Sequence, residues 1–525
     1  MIVLTALSAY LAIASAGSPR RHHGGYKGSA QDQLTVSTSS GHVHGKIDPE
    51  LPNVRQFLGV PFAQPPVKDL RWSAPQPLSQ PDAHIEATEL PPSCNQFLSS
   101  TLGFSTAEIL EFNLQGLNKT GATSEDCLTA SVWAPVNQQH GYGSRKGKKG
   151  EEALPVLIYI YGGSFSTGGQ DVPYQIPAQW VDRTPDHIVV SFNYRVNIFG
   201  FPGAEGLDDQ NVGLLDQRLA VEWVRENIAA FGGDPEQMII FGQSAGAASV
   251  DYYNHAYPEN PIVKGLIMES GTALIPIGGD PTGMSFTYVA TQLGYTGSAN
   301  DSAAVLSYMR SLPADEIENF VANHSNSGSS PGLSFGPTPD EKSVFANYTE
   351  RALAGHQAKI PAIIGTNAQD GVTLAPYNPN GTNLTIADAA YLRTFLCPAT
   401  QTIHLRQETG RLTYSYRYAG NFSNISPKPW IGAYHSAELP LLFGTHPNYR
   451  GESTELEYQT SCAMQDAWVA FAKDPESGLE GENWDVYERL GSQEVREFGA
   501  GVAAQDVSVA PLESMCNGAV PAEAT

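Results

Sequence analysis

A serine between two glycines, in Gly242-Gln243-Ser244-Ala245-Gly246, matches the pattern G-x-S-x-G. The pattern directly follows the apolar run Met238–Phe241 and opens an alanine-rich segment that can begin a helix. A strand, a tight turn and a helix in this order project a serine hydroxyl from the edge of a sheet, where it can attack a carbonyl carbon. The flanking glycines allow close backbone approach. An ordinary Gly/Ser turn is the alternative, but the context favours a nucleophilic serine.

A second glycine turn, Tyr161-Gly162-Gly163-Ser164-Phe165, directly follows the apolar run that begins at Leu154. Successive backbone N–H groups at the carboxyl end of a strand can point inward and stabilise a developing oxyanion. The amide of Ala245, directly after the serine, can do the same. Taken alone, the second turn could equally be a plain loop. Together the two turns indicate acyl-transfer chemistry.

The elements that must position these turns form an alternating pattern. Apolar runs of strand length occur at Leu154–Tyr161, His187–Tyr194, Met238–Phe241, Leu266–Met268 and Ile360–Ile364. They are continuous rather than alternating, as in strands that are buried on both faces of a parallel sheet. Helical spacing occurs over Val212–Phe231, before Gly232-Gly233, and over Leu456–Lys473, before Pro475. The order predicts an α/β fold with a central, mostly parallel twisted sheet flanked by helices.

Composition narrows the classes of function. The chain has 525 residues, of which 41% are hydrophobic, so it can bury a large core. Its 54 acidic side chains against 30 basic ones give a net charge of −24, which disfavours nucleic acid as a partner. The cysteines lack metal-ligand spacing, so we expect no metal. Because no long polar linker interrupts the chain, we expect residues 35–520 to form a single domain.

The N-terminus indicates export. Residues 1–16 are apolar and end in Ala14-Ser15-Ala16, which is typical of a signal peptide and too short for a membrane span. A buried core helix is the alternative. We expect residues 17–34 to be a flexible segment, and we expect no membrane-spanning helix elsewhere. N-x-S/T sequons, which matter only in the secretory route, occur at Asn118, Asn300, Asn323, Asn347, Asn380, Asn383, Asn421 and Asn424.

Longer blocks of sequence resemble the type-B carboxylesterase/lipase family, which includes cholinesterases and secreted fungal lipases. The blocks are FLGVPFAQPPVKDLRWSAPQP (Phe57–Pro77), SEDCLTASVWAP (Ser124–Pro135), NYRVNIFGF (Asn193–Phe201), NVGLLDQRLAVEWVRENIAAFGGDP (Asn211–Pro235) and FGQSAGAASV (Phe241–Val250). The resemblance spans about Thr35 to Cys516. It implies an α/β-hydrolase fold and a serine esterase or lipase that uses no cofactor.

The resemblance also implies site residues. Ser244 corresponds to the nucleophile, and Gly163, Ser164 and Ala245 correspond to the oxyanion-hole residues, although the family usually has glycine where Ser164 stands. Gln243 stands where cholinesterases often carry glutamate. The loss of that negative charge argues against a cationic substrate.

Triad order in this fold is serine, acid, histidine. Six histidines follow Ser244, and GAYHSAELPLLFG (Gly432–Gly444) resembles the family's histidine segment, which selects His435. His446 is the nearest rival, with a surface loop residue as its plain interpretation. IPAIIGTNAQDG (Ile360–Gly371) resembles the acid segment and selects Asp370, where most members have glutamate. A turn aspartate before glycine is the alternative for Asp370. Ser270 resembles a serine that supports the acid and histidine.

The resemblance further implies disulfides Cys94–Cys127 and Cys397–Cys516, with Cys462 a buried free thiol. The loop that the first pair closes is rich in apolar residues and is a lid in lipases of the family. We therefore expect a secreted, disulfide-bonded glycoprotein that hydrolyses a small-molecule or lipid ester through an acyl-enzyme. Acyl transfer or lactonisation on a natural product is an alternative, and a non-catalytic recognition module is a further one. The sequence does not specify the physiological ester or the oligomeric state.

Overall fold

A computed structural model describes residues 34–109, 123–136, 153–448, 450–488 and 494–517. The expected signal peptide, the expected flexible segment apart from Leu34, and the sequon at Asn118 lie outside these ranges.

Sixteen β-strands lie in the described ranges. They are β1 (Thr35–Thr38), β2 (Gly41–His44), β3 (Lys46–Asp48), β4 (Leu51–Pro61), β5 (His84–Glu86), β6 (Ser93–Cys94), β7 (Thr123–Ser124), β8 (Thr129–Pro135), β9 (Leu154–Ile160), β10 (Ile188–Phe192), β11 (Gly233–Gln243), β12 (Gly265–Glu269), β13 (Ala362–Asn367), β14 (Thr413–Tyr418), β15 (Glu494–Phe498) and β16 (Ala504–Ser508). Eleven of them form one sheet, in the order β16-β15-β14-β13-β12-β11-β9-β10-β8-β4-β3.

The centre of this sheet is parallel. Seven strands, from β10 through β9 and β11 to β15, run in one direction, and the strands outside them pair antiparallel. Every residue of β9, β10, β12 and β13 is buried. Burial on both faces explains why these strands read as continuous apolar runs. The expected α/β-hydrolase fold with a mostly parallel central sheet is therefore confirmed.

α-Helices pack against the sheet. The helices longer than four residues are Phe104–Glu108, Ala178–Arg183, Val212–Asn227, Ala245–Ala256, Met284–Gln292, Ser302–Ser311, Ala314–Asn326, Tyr348–Leu353, Leu384–Tyr391, Cys397–Glu408, Glu455–Lys473 and Ala510–Met515. Two shorter ones are Asn197–Gly200 and Leu439–Leu442. A π-helical turn, Leu392–Leu396, joins two of the longer helices.

The predicted elements fall close to the observed ones. The helix predicted over Val212–Phe231 is α-helical to Asn227 and continues as a 3₁₀ turn to Phe231, where Gly232 ends it with a φ of 104°. The helix predicted from Leu456 begins one residue earlier. Thr454 caps it, with its hydroxyl accepting from the Glu457 amide while the Glu457 carboxylate accepts from the Thr454 amide.

A buried ion pair ties the central helix Val212–Asn227 to the loop after β10. The Asp216 carboxylate accepts hydrogen bonds from the Arg195 backbone N–H, Nε and Nη2, at 3.0, 2.9 and 2.7 Å. Because neither side chain reaches solvent appreciably, each charge depends on the other.

The structure contains the two disulfides that the resemblance implies. Cys94–Cys127 has an S–S distance of 2.03 Å and Cys397–Cys516 one of 2.07 Å. Cys462 is free, but it is half-buried rather than buried, because it lies on a partly exposed flank of the helix Glu455–Lys473.

The described sequons differ in exposure. Asn300, Asn323, Asn380, Asn383 and Asn421 are exposed, and Asn347 is half-buried. Asn424 is buried, and its Nδ2 donates to the His446 carbonyl and to Ser453 Oγ. Within the described ranges, no helix is both long and apolar enough to cross a membrane.

Candidate active site

Ser244 stands at the sharp turn between β11 and the helix Ala245–Ala256, with φ 59° and ψ −121°. A non-glycine residue in this region carries local strain of about 1–3 kcal/mol, which the surrounding packing must maintain. The turn is fixed from the neighbouring strand, because the Ser244 amide donates to the Glu269 carbonyl at 2.8 Å. The residue is 8% exposed, so the serine is recessed but reachable.

Close backbone packing explains the two glycines of the motif. A Cβ on Gly246 would stand 1.9 Å from the Ile160 carbonyl oxygen, and one on Gly242 would stand 2.6 Å from the Gly246 carbonyl carbon. Neither position could hold a side chain unless the strands moved apart. The motif therefore lets the helix begin directly against β9, which brings the serine beside the second glycine turn.

That second turn wraps past the serine. A Cβ on Gly162 would lie 2.9 Å from Ser244 Cβ, so Gly163 and Ser164 follow within the same crowded corner. Gly163 and Ser164 have φ values of 110° and 55°, and the Gly163 carbonyl accepts from the amides of Ser166 and Thr167. Ala245 opens its helix, so its N–H has no partner within that helix. These three amides can serve as donors to an oxyanion.

His435 lies in the segment that follows β14, beside the acid. Its Nδ1 donates to Asp370 Oδ1 at 2.8 Å. Asp370 is fully buried in the 3₁₀ turn that follows β13, and the imidazole is 13% exposed. The shorter aspartate reaches the histidine directly, so no bridging group is needed where most members of the family have glutamate.

Gln243 locates the imidazole at the serine turn. Its Nε2 lies 3.4 Å from His435 Nδ1 and 3.3 Å from His435 Nε2. An atom in the ring plane at these distances would collide with the ring carbon between the two nitrogens, so the amide lies over a face of the imidazole. Because Gln243 directly precedes Ser244, this contact places the imidazole beside the serine turn.

Ser244 Oγ forms no hydrogen bond with His435 in the described structure. Catalytic hydrogen bonds in substrate-free hydrolases are often long and tighten when substrate binds. Ser244, His435 and Asp370 follow the carboxyl ends of β11, β14 and β13, strands of the parallel centre of the sheet. This is the edge at which α/β folds bind their ligands.

Two further groups hold the acid. Ser270 Oγ donates to Asp370 Oδ2 at 2.9 Å, and the Asn367 amide donates to the same oxygen at 2.7 Å. Ser270 is fully buried with φ 54°, and its own amide donates to the Gly365 carbonyl. The serine that the resemblance suggested thus contacts the acid directly and leaves Oδ1 for the histidine.

Two buried glutamates lie behind the acid. Burial, followed by the nearby charge of Asp370, raises the pKa of Glu438 to about 8. Burial and then the charge of Glu438 raise the pKa of Glu269 well above its usual value. The Asn367 side chain donates to Glu438, and Trp468 Nε1 donates to Glu269 at 2.8 Å. Burial therefore favours the protonated form of both glutamates.

Part of the loop closed by Cys94–Cys127 reaches the histidine segment. Phe104 packs on Tyr434, directly before His435, with ring centroids 5.3 Å apart, and it also contacts Trp430. Glu108, at the end of the helix Phe104–Glu108, accepts from Lys428 Nζ. Of the apolar residues of this loop, Leu110, Phe112 and Leu117 lie outside the described residues.

The rival histidine has a structural role. His446 is buried, its Nδ1 lies 2.7 Å from Ser453 Oγ, and burial lowers its pKa to about 4. The interpretation of His446 as a surface loop residue is wrong, because Ser453 and the aromatic ring of Tyr458 enclose it.

The site also contains residues that the sequence did not reveal. Glu438 is three residues after His435, but its sequence context is typical of an ordinary surface charge. Phe395 lies in a helical stretch that is distant in sequence from both Asp370 and His435. Only the spacing of Glu438 from His435 could have indicated its place. In the described ranges, no group of three or more His, Cys, Asp or Glu side chains could hold a metal ion.

Comparison with known proteins shows the family of the chain. The model of the carboxylesterase family matches residues 32–393 and 386–506. Chlorogenic acid esterase of Aspergillus niger is 45% identical over 445 residues, which cover 85% of this chain and 83% of that protein. Secreted lipase 5 of Gibberella zeae is 40% identical over 483 residues, covering 87% and 88%. Cholinesterase of Mus musculus is 29% identical over 521 residues, covering 88% and 82%.

Proposed function

The chain belongs to the carboxylesterase family and is a carboxylic ester hydrolase, and on this basis we propose that Ser244, His435 and Asp370 perform the hydrolysis through an acyl-enzyme. The hydrogen bond between His435 Nδ1 and Asp370 Oδ1, formed beside the Ser244 turn, is the observation that carries this assignment. The order of the three residues in the chain also fits the fold.

In the proposed reaction, Ser244 Oγ attacks the ester carbonyl carbon while His435 Nε2 takes its proton. The tetrahedral oxyanion accepts hydrogen bonds from the amides of Gly163, Ser164 and Ala245, and loss of one such donor costs about 3–4 kcal/mol in known hydrolases. His435 then returns the proton to the departing alcohol. Water then attacks the acyl carbon while His435 Nε2 takes its proton, and His435 returns that proton to Ser244 Oγ as the carboxylic acid leaves. Before each attack, Asp370 maintains the tautomer that leaves Nε2 unprotonated.

We propose soluble esters of aromatic acids, of the chlorogenic acid type, as the substrate class. The relative at 45% identity is named for chlorogenic acid. Aromatic side chains surround the histidine, with Phe395 on its ring and Tyr434 directly before it in contact with Phe104. These rings are 2–4% exposed and form an apolar wall beside the imidazole, so the substrate class rests on the name of that relative. Gln243 adds no negative charge that would attract a cationic substrate.

Initial rates on chlorogenic acid, p-nitrophenyl butyrate and an emulsified long-chain triglyceride test the substrate class, with Ser244→Ala as the blank. The expected result is that kcat/KM is highest for chlorogenic acid and that the emulsion is a poor substrate. A clear preference for the emulsified triglyceride would contradict the proposal and favour a lipase.

We propose further that residues 35–520 form one domain and that the chain is secreted after removal of residues 1–16. A continuous buried cluster that runs from Val43 to Val509 supports the first statement. The two disulfides and the secreted relatives support the second, because such bonds persist in oxidising compartments. N-terminal sequencing of the exported protein tests it, with a mature start after Ala16 as the expected result.

A further inference from the structure

Three side chains contact the imidazole of His435. Asp370 binds Nδ1 in the ring plane, and the Gln243 amide lies over a face. The ring of Phe395 lies with its centroid 4.5 Å from that of the imidazole, at an interplanar angle of 35°. At this separation the two rings are in direct contact in a tilted arrangement. Phe395 therefore covers the imidazole and limits its rotation.

An irregular turn brings Phe395 to this position. Residues Leu392–Leu396 form a π-helical turn between the helices Leu384–Tyr391 and Cys397–Glu408. Such a turn inserts one extra residue, shifts the side chains that follow it and occurs frequently at functional sites. Phe395 is 3% exposed, so the turn places a large ring against the histidine and away from solvent.

The far side of the same turn is anchored to the C-terminus. Tyr391, Phe395 and Leu396 form a small buried cluster with Leu512, which lies on the helix Ala510–Met515. The Cys397–Cys516 disulfide joins the residue after the turn to the residue after that helix. The covalent link keeps the C-terminal helix packed behind the ring, so the ring has little room to retreat from His435.

We propose that Phe395 is a positioning residue for the general base: its ring, delivered by the π-helical turn and backed by the disulfide-linked C-terminal helix, holds the imidazole with Nδ1 on Asp370 and Nε2 towards Ser244. This inference rests on the proposed function, because it requires His435 to be the base. The ring face also stabilises the positive charge that the imidazole acquires when it takes the serine proton. Both effects act on the transition state more than on substrate binding.

The test compares kcat and KM for p-nitrophenyl butyrate in wild type, Phe395→Leu and Phe395→Tyr. Leucine keeps the apolar volume without a ring, and tyrosine keeps the ring. We expect kcat to fall about tenfold in Phe395→Leu with KM nearly unchanged, and to recover in Phe395→Tyr. The rate of Ser244 modification by an organophosphonate should fall in parallel, because that reaction also needs the base.

Phe471→Leu is the matched control. Phe471 is a fully buried phenylalanine that packs at Gly265, the amino end of β12, opposite the edge that bears the site. Its variant should keep the wild-type kcat when measured as folded protein. Equal losses of kcat in the two leucine variants would show a general packing effect and overturn the inference.

The remaining outcomes separate this inference from the proposed function. An active Ser244→Ala would refute the proposed function itself. An inactive Ser244→Ala together with a wild-type kcat in folded Phe395→Leu would overturn only the positioning role. If Phe395→Leu does not fold, Phe395→Met is measured against the same expectations. A wild-type kcat in the double variant Cys397→Ser/Cys516→Ser would contradict the backing role of the C-terminal helix.

Discussion

Replacing Glu438 with glutamine should stabilise the protein, increasingly so as the pH rises. Glu438 is fully buried beside Asp370, and burial raises its pKa to about 8 in the folded chain from an ordinary value of 4.5. A carboxyl whose pKa is raised by folding holds its proton more tightly in the folded state. Its contribution to stability is therefore fully present below pH 4.5 and is lost as the pH rises towards 8.

The size of the effect follows from the two pKa values. Each pH unit between them costs about 1.4 kcal/mol, so the wild type loses about 3 kcal/mol by pH 7 and at most about 5 kcal/mol above pH 8. Glutamine has the same shape, carries no proton to lose and keeps a carbonyl oxygen for the Asn367 side chain that donates to Glu438. The variant should therefore escape this loss.

Urea unfolding followed by tryptophan fluorescence, at intervals from pH 4.5 to pH 9, measures the difference directly. The free energy of unfolding of Glu438→Gln minus that of wild type should rise by about 3 kcal/mol between pH 4.5 and pH 7 and level off above pH 8. Glu452→Gln, at an exposed position, is the control and should show no such rise. A difference that stays constant across the range would refute the reasoning about the buried carboxyl.

Three further outcomes are expected. Asp370→Asn should lower kcat for p-nitrophenyl butyrate by about 10⁴-fold, because the histidine loses the acceptor that fixes its tautomer, and a loss below tenfold would contradict the role of the acid. Asp216→Asn, which breaks the buried ion pair, should lower the free energy of unfolding by about 3–5 kcal/mol. Glu236→Gln, which removes an exposed partner, should change it by less than about 1 kcal/mol, and similar losses in the two variants would contradict this contrast. In protein secreted from a glycosylating host, peptide mass spectrometry should find Asn424 unmodified, because its Nδ2 is buried in two hydrogen bonds. Asn383, which is exposed, is accessible to modification and serves as the comparison. A glycan on Asn424 would contradict its buried position.

The sequence predicts the parallel centre of the sheet well, because a strand buried on both faces must be apolar throughout. β9 and β10 are examples. The antiparallel strand β4 (Leu51–Pro61) is less visible, since it carries Arg55 and Gln56 in its middle. Both polar side chains are buried, and Arg55 donates to the carbonyls of Pro135 and Phe231. Because these carbonyl groups lie far from Arg55 in the chain, no local sequence pattern predicts the hydrogen bonds.

The residues of the site also differ in how far the sequence alone predicts them. The turn at Ser244 is visible locally, because strand, glycine and helix signals stand next to each other. Asp370 and His435 required a family resemblance, since nothing local distinguishes them from other turn residues. The places of Phe395 and Glu438 depend on tertiary packing alone. A π-helical turn positions the ring of Phe395, and burial raises the pKa of the Glu438 carboxyl.

Mass spectrometry after treatment with a p-nitrophenyl organophosphonate tests most directly whether Ser244 is the nucleophile. We expect one phosphonyl group per chain on the peptide that contains Ser244, released p-nitrophenol in equal amount, and no label in His435→Ala over the same time. Rapid labelling of a different serine, or full activity in protein whose Ser244 is completely modified, would contradict it.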